Sequence, residues 1–209
     1  MFIFILTFNT LLVRMIIVFE GLDGSGKGTQ VKMLQEKLKC PILNYPDRNG
    51  IYGELFNRIL KKQINVELGG YELLPMFLMD MIKDKTKLEK YKGNETNHII
   101  LDRYAYSTLA YQSTQGVIYE KGKAMIEEFN LIEPDILFIL DVEPSVCISR
   151  IQGEKELFEK EEFLKKVRKV YKMIYDECFF ADVSILIDGS QDPEIVHSMI
   201  LAILNDYGV

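Results

Sequence analysis

A glycine-rich stretch near the start of the chain has the residue types needed to hold phosphate. Gly21-Leu22-Asp23-Gly24-Ser25-Gly26-Lys27 fits the G-x-x-x-x-G-K frame of the P-loop. Glycines let successive backbone N–H groups turn inward around phosphate oxygens, and the start of a following helix adds partial positive charge. Lys27 brings a full charge to the β- and γ-phosphates of a nucleoside triphosphate. ATP with Mg2+ is therefore expected along the loop, from Gly21 and Leu22 through Gly24, Ser25 and Gly26 to Thr29. The general frame places Ser or Thr after the lysine to ligate the metal; here Gly28 follows, and Thr29 comes one position later. Either Thr29 fills that role, or water does, backed by a carboxylate from Asp23, Asp102 or Glu20. Mg2+ keeps several waters readily.

Such a loop needs a strand before it and a helix after it. Ile16-Ile17-Val18-Phe19 is an apolar run of strand length, and Val31, Leu34 and Leu38 then share a helical face. Further runs lie at Ile42 to Tyr45, His98 to Leu101, Ile136 to Leu140 and Val183 to Ile187. Continuous β-branched stretches without strict alternation are typical of parallel strands covered on both faces. Helical spacing recurs at Phe163, Val167, Val170, Tyr171 and Ile174. It recurs again from Val196 to Leu204, after Asp192 as N-cap and Pro193 at the first helical position. The pattern predicts a doubly wound α/β fold, a five-stranded parallel sheet flanked by helices, as a single domain over 15–209. Ligands in such sheets sit beyond the carboxyl ends of the strands. Each of the five runs is followed within two positions by a carboxylate: Glu20, Asp47, Asp102, Asp141 and Asp188. A shared site accounts for the set better than chance loop composition.

Composition narrows the class. The 209 residues are 48% hydrophobic and 27% charged, the balance of a globular protein, with a net charge of −6 that disfavours nucleic acid as a partner. Cys40, Cys147 and Cys178 are sparse, odd in number and widely spaced, which fits neither a disulfide framework nor zinc and points to a reducing cytoplasm. Residues 2–8 are almost wholly apolar, but Thr7, Asn9, Thr10 and Arg14 break the run. It is too short to span a membrane and lacks the basic start and cleavage site of a secretory signal. Residues 1–14 are read as a dispensable extension, with an added edge strand or a weak targeting segment as the other readings.

Longer stretches carry a resemblance. Phe19 to Lys27, Tyr45-Pro46-Asp47-Arg48, Asp102-Arg103-Tyr104 continuing through Ser107 to Gln112, Pro134-Asp135 and Asp188-Gly189-Ser190 together resemble the thymidylate kinase family, from Met15 to the C-terminus. The Gly28-Thr29-Gln30 ending is similar to that of adenylate kinases. The resemblance implies transfer of the terminal phosphate of ATP to dTMP, in a homodimer. It implies that Arg103 and Arg48 hold the acceptor phosphate, that Asp23 faces the acceptor sugar and phosphate, and that Asp102 holds Mg2+ through water. It further implies that Phe77 stacks on the base, that Tyr111 lies under the sugar and that Thr108 lies near the base edge. Periodicity alone reads Phe77 as core, and Arg103 has a structural alternative as an ion-pair partner of Asp102. Where the family has a base-binding arginine after the aromatic, this chain has Met81.

The P-loop carries no arginine, so a lid at about 150–162 is expected to supply the cation over the transferring phosphate, with Arg150 and Lys155 the candidates. A solvated charged turn is the plainer account of that stretch. Three other functions stay open: a kinase for another nucleoside or deoxynucleoside monophosphate, a deoxynucleoside kinase with Glu20 as base, and an ATP-responsive binding module without turnover.

Overall fold

The structure, a computed structural model, describes residues 14–60, 63, 68–92, 97–151 and 157–209. The expected extension, but for Arg14, and Lys155 of the expected lid lie outside the described residues. Strands β1 (Ile16–Gly21), β2 (Ile42–Asn44), β3 (Ile99–Asp102), β4 (Ile136–Asp141) and β5 (Val183–Asp188) form one sheet in the order β2-β3-β1-β4-β5. Every pairing is parallel. The helices are α1 (Lys27–Leu38), α2 (Ile51–Leu60), α3 (Gly70–Ile82), α4 (Lys85–Lys92), α5 (Ala105–Thr114), α6 (Tyr119–Glu128), α7 (Pro144–Arg150), α8 (Leu157–Glu177) and α9 (Pro193–Asp206). The fold is the expected one. α8 begins inside the 150–162 stretch.

β1 is the middle strand and is buried along its whole length, whereas β2 and β5 at the edges are mostly half-buried. Alternate residues of β1 feed two cores. Ile16 and Val18 join Leu74 and Leu78 of α3, Leu109 of α5 and Val167 of α8 on one face. Ile17 and Phe19 join Leu34 of α1 and Ile200 of α9 on the other. Full burial of each such side chain contributes about 1.5–3 kcal/mol, which keeps the central strand rigid. Its start is pinned by Asp135, whose carboxylate accepts the Ile16 N–H at 2.6 Å.

Register sets the geometry at the carboxyl edge. Phe19 lies opposite Asp102 on β3, so the chain leaves β1 into the P-loop beside the point where β3 delivers Arg103. The loop after β2 is packed against the helix that follows it. A Cβ on Gly53 in α2 would collide with the Asp47 carbonyl oxygen, so the close approach requires glycine there.

Candidate active site

The P-loop turns between β1 and α1 on glycines in left-handed conformation, with φ of 83° at Gly24 and 96° at Gly26. A Cβ on Gly24 would strike the Cys147 carbonyl, so the outside of the loop rests on the backbone of α7. No side chain caps α1, which leaves its leading N–H groups to a ligand. Lys27 is 7% exposed and donates to the carbonyls of Gly21 at 3.0 Å and Leu22 at 2.8 Å. Burial, then the neighbouring Arg103, push its ammonium down to about 8, against the pull of Asp23, Glu20 and Asp102.

Arg103 stands at the end of β3 with φ 70°, its N–H bonded to the Phe19 carbonyl at 3.0 Å. Its guanidinium pairs with Asp23, donates to Ser107 Oγ at 3.0 Å and lies 5.8 Å from the centre of the Tyr111 ring. Burial opposes its charge, but Tyr171, Asp23, Tyr111 and Glu20 outweigh that and raise its pKa further. Dehydration likewise works against the charge of Asp23, yet Arg103 and Lys27 hold its carboxyl below the usual range. The alternative that pairs Arg103 with its neighbour Asp102 does not hold. The partner is Asp23, and Asp102 is left facing the cavity.

That cavity, of about 710 Å³, is lined by Asp23, Lys27, Thr29, Arg48, Asp102 and Arg103, with Gly24, Gly26 and Gly28 along its floor. It adjoins one of about 590 Å³ beside β2, which shares Arg48, Asp102 and Arg103. On the other flank a space of about 290 Å³ is bounded by Ser25, Gly26, Thr29, Gln30 and Arg150. The three make one trench along the carboxyl ends of the strands.

The loop that carries Arg48 is fixed from α3. Asp80 is fully buried and accepts the Asp47 N–H at 2.8 Å. Lys83 lies 3.0 Å from Asp80, 3.4 Å from Asp47 and 3.0 Å from Asp84, and Tyr45 donates to Asp84 at 3.1 Å. The Tyr45–Pro46 peptide is cis. Phe77, one turn before Asp80, is half-buried against the core and stacks on Phe56, with centroids 4.3 Å apart and planes at 14°. Thr108 Oγ1 and Tyr111 Oη on α5 are buried without a hydrogen-bond partner among the described residues. Met81 is 3% exposed and belongs to the core, so its side chain gives the base nothing to bond.

Not every strand-end carboxylate serves the trench. Asp102 lines the central cavity and Asp47 the adjoining one. Asp141 is committed to Arg168, in two bonds, and to Lys172 at 3.2 Å, and Asp188 closes a turn onto Ser190. Glu20 is fully buried and accepts from Tyr104, Ser107 and Tyr171, so it does not reach open space as a base for a sugar hydroxyl. Arg150, expected over the phosphate, instead donates to the carbonyls of Gly24 at 3.3 Å, Gly189 at 3.1 Å and Ser190 at 3.2 Å.

On sequence alone Asp80, Ser107 and Tyr171 had no role in the site. One local signal existed for the network they join: Glu20 ends the strand most enclosed by apolar neighbours, where a carboxylate must find partners. Among the described residues no group of three or more His, Cys, Asp or Glu side chains converges on a metal position. No helix among them is long and apolar enough to cross a membrane.

A family model described as thymidylate kinase matches residues 19–200. The chain is 36% identical to a probable thymidylate kinase of Methanocaldococcus jannaschii, over 92% of this chain and 97% of the relative. It is 34% identical to a thymidylate kinase of Leptospira interrogans, over 84% of this chain and 86% of that one. Its fold is similar to the solved thymidylate kinase of Candida albicans, with a TM-score of 0.72 and 24% identity over 93% of this chain and 92% of that chain. It is also similar to a deoxyadenosine kinase from M. mycoides, with a TM-score of 0.64 and 23% identity over 91% and 98%.

Proposed function

The chain belongs to the thymidylate kinase family and transfers the terminal phosphate of ATP to dTMP, and on that premise we propose which of its residues carry the transfer. Lys27 and the loop N–H groups hold the donor phosphates. Arg103 and Arg48 hold the acceptor phosphate, which Asp23 faces from the other side. The carrying observation is that Lys27, at the start of α1 beyond β1, and Arg103, just beyond the adjacent β3, line one cavity. An acceptor oxygen there attacks the γ-phosphorus in line. The acceptor is already ionised near neutral pH, so no base is needed, and catalysis is positioning plus neutralisation of spreading charge. Phe77, Thr108 and Tyr111 take the nucleoside; the buried, unpartnered Thr108 hydroxyl supports this, and the Tyr111 ring lies against the Arg103 guanidinium.

Mg2+ fits the site. Asp102 and Thr29 line the same cavity as Lys27, and a Cβ on Gly28 would meet nothing within 4 Å, which leaves room for water ligands. One carboxylate and one hydroxyl suit an ion held mainly by phosphates and water, and its contribution is charge neutralisation at the transferred group. Arg150, engaged with three carbonyls, frames the donor side of the loop.

A homodimer is supported by Ile51 and Leu55, one turn apart on α2 and 85% and 36% exposed. The three free cysteines fit a reducing cytoplasm.

ADP release with dTMP tests the assignment. Arg103→Ala is expected to lower kcat/KM by about 100-fold or more with the circular dichroism spectrum unchanged. Native-like turnover in that variant would overturn it.

A further inference from the structure

We infer that Glu20 is a positioning residue for the acceptor side, orienting the Arg103 guanidinium through Ser107 and tying it to helix α8 through Tyr171. This rests on the acceptor-phosphate role of Arg103 proposed above.

The hydrogen bonds can be assigned one proton at a time. One Glu20 oxygen accepts the N–H of Tyr104 at 2.7 Å and of Ser107 at 3.1 Å. The other accepts the hydroxyls of Ser107 and, at 2.9 Å, of Tyr171. Ser107 has a single hydroxyl proton and gives it to Glu20, so its oxygen lone pair is free to receive Arg103 Nη1–H at 3.0 Å. The order Arg103 to Ser107 to Glu20 is thereby fixed. Four donors meet one carboxylate, so only the ionised form satisfies all of them. Burial pushes the Glu20 carboxyl up, while Arg103, Ser107, the Tyr104 N–H and Lys27 oppose that.

A plainer role is available. Tyr104 and Ser107 N–H belong to the start of α5, so a buried anion there also caps a helix. Capping does not require the Ser107 hydroxyl. That hydroxyl bridges the carboxylate to Arg103 Nη1, while Nη2 bonds Asp23. The free hydroxyl edge of the bridge lies 3.2 Å from Tyr171 on α8, so the arginine, the P-loop strand and α8 meet at one point.

Steady-state kinetics on the full chain separate the roles. Ser107→Ala keeps the backbone cap and cuts the bridge. KM for dTMP is expected to rise about 10-fold, with KM for ATP and the melting temperature essentially unchanged. In the Arg103→Ala background the same substitution is expected to add no further loss. Glu20→Gln, which sets an amide NH2 where one carboxylate oxygen accepted two donors, is expected to raise KM for dTMP at least as much if it folds. A Ser107→Ala enzyme with native KM for dTMP, or losses that add fully in the double variant, would overturn the inference while leaving Arg103 in place. Native dTMP kinetics in Arg103→Ala would instead remove the reading on which it stands.

Discussion

Lys27 is caught between two demands. Burial and the positive Arg103 favour its neutral form, and the phosphates it serves favour its charged form. In the free protein it titrates at about 8; bound phosphate draws the proton back. Above that pH the proton must be taken up on binding, so ATP affinity is expected to fall as pH rises through 8, approaching about tenfold per pH unit. Below it the dependence on this group flattens. Calorimetric titration with ATP between about pH 7.5 and about 9.5 checks this, and Lys27→Met should abolish the slope. Arg103 behaves oppositely, since Asp23 and Glu20 keep it charged throughout. The difference explains why one cation can hold carbonyls at rest while the other stays fixed on an acid.

At the scale of elements, α3 does two jobs within one turn. It presents Phe77, and through Asp80 it holds the loop after β2 that carries Arg48. Asp80→Ala would leave the Asp47 N–H and Lys83 without their buried partner. We expect a loss of about 3 kcal/mol in stability, read as the midpoint of urea unfolding, together with a higher KM for dTMP. This link joins residues 33 positions apart and has no trace in local spacing. The strands were legible because a parallel sheet buries both faces and leaves continuous apolar runs. The P-loop was legible because its chemistry is compressed into consecutive residues. The partners of Arg103 were not. Asp23 lies 80 positions away, whereas adjacency offered only Asp102 as the alternative, which lines the same cavities as Arg103. For Arg150 the charge was visible, while the carbonyls it holds were not, since they come from two loops far apart in sequence, Gly24 in one and Gly189 and Ser190 in the other.

The molecule as a whole is acidic, with a net charge of −6, and a few of its cations meet at the carboxyl edge of the sheet. Lys27, Lys32, Arg48 and Arg103 surround the central cavity, and Lys87 borders its neighbour. Asp23, Glu36, Asp47, Asp84 and Asp102 line the same two cavities, so an anionic substrate meets individual cations set among acids rather than a uniformly positive wall. On the flank, Ile51 and Leu55 leave an apolar stripe facing water. For the proposed homodimer, Ile51→Glu with Leu55→Glu is expected to give a monomer in sedimentation velocity, and a coefficient equal to that of the unaltered protein would reject that face. The contact of Gly53 with the Asp47 carbonyl has a wider meaning. A methyl group added there meets no charge and no ligand, yet it has nowhere to go except into the backbone that presents Arg48 and the Asp47 carbonyl that accepts the Gly50 N–H. On the role proposed for Arg48, recognition of the acceptor then depends on a hydrogen atom at a position with no chemistry of its own, and an otherwise conservative change to alanine there is expected to weaken dTMP binding by displacement alone.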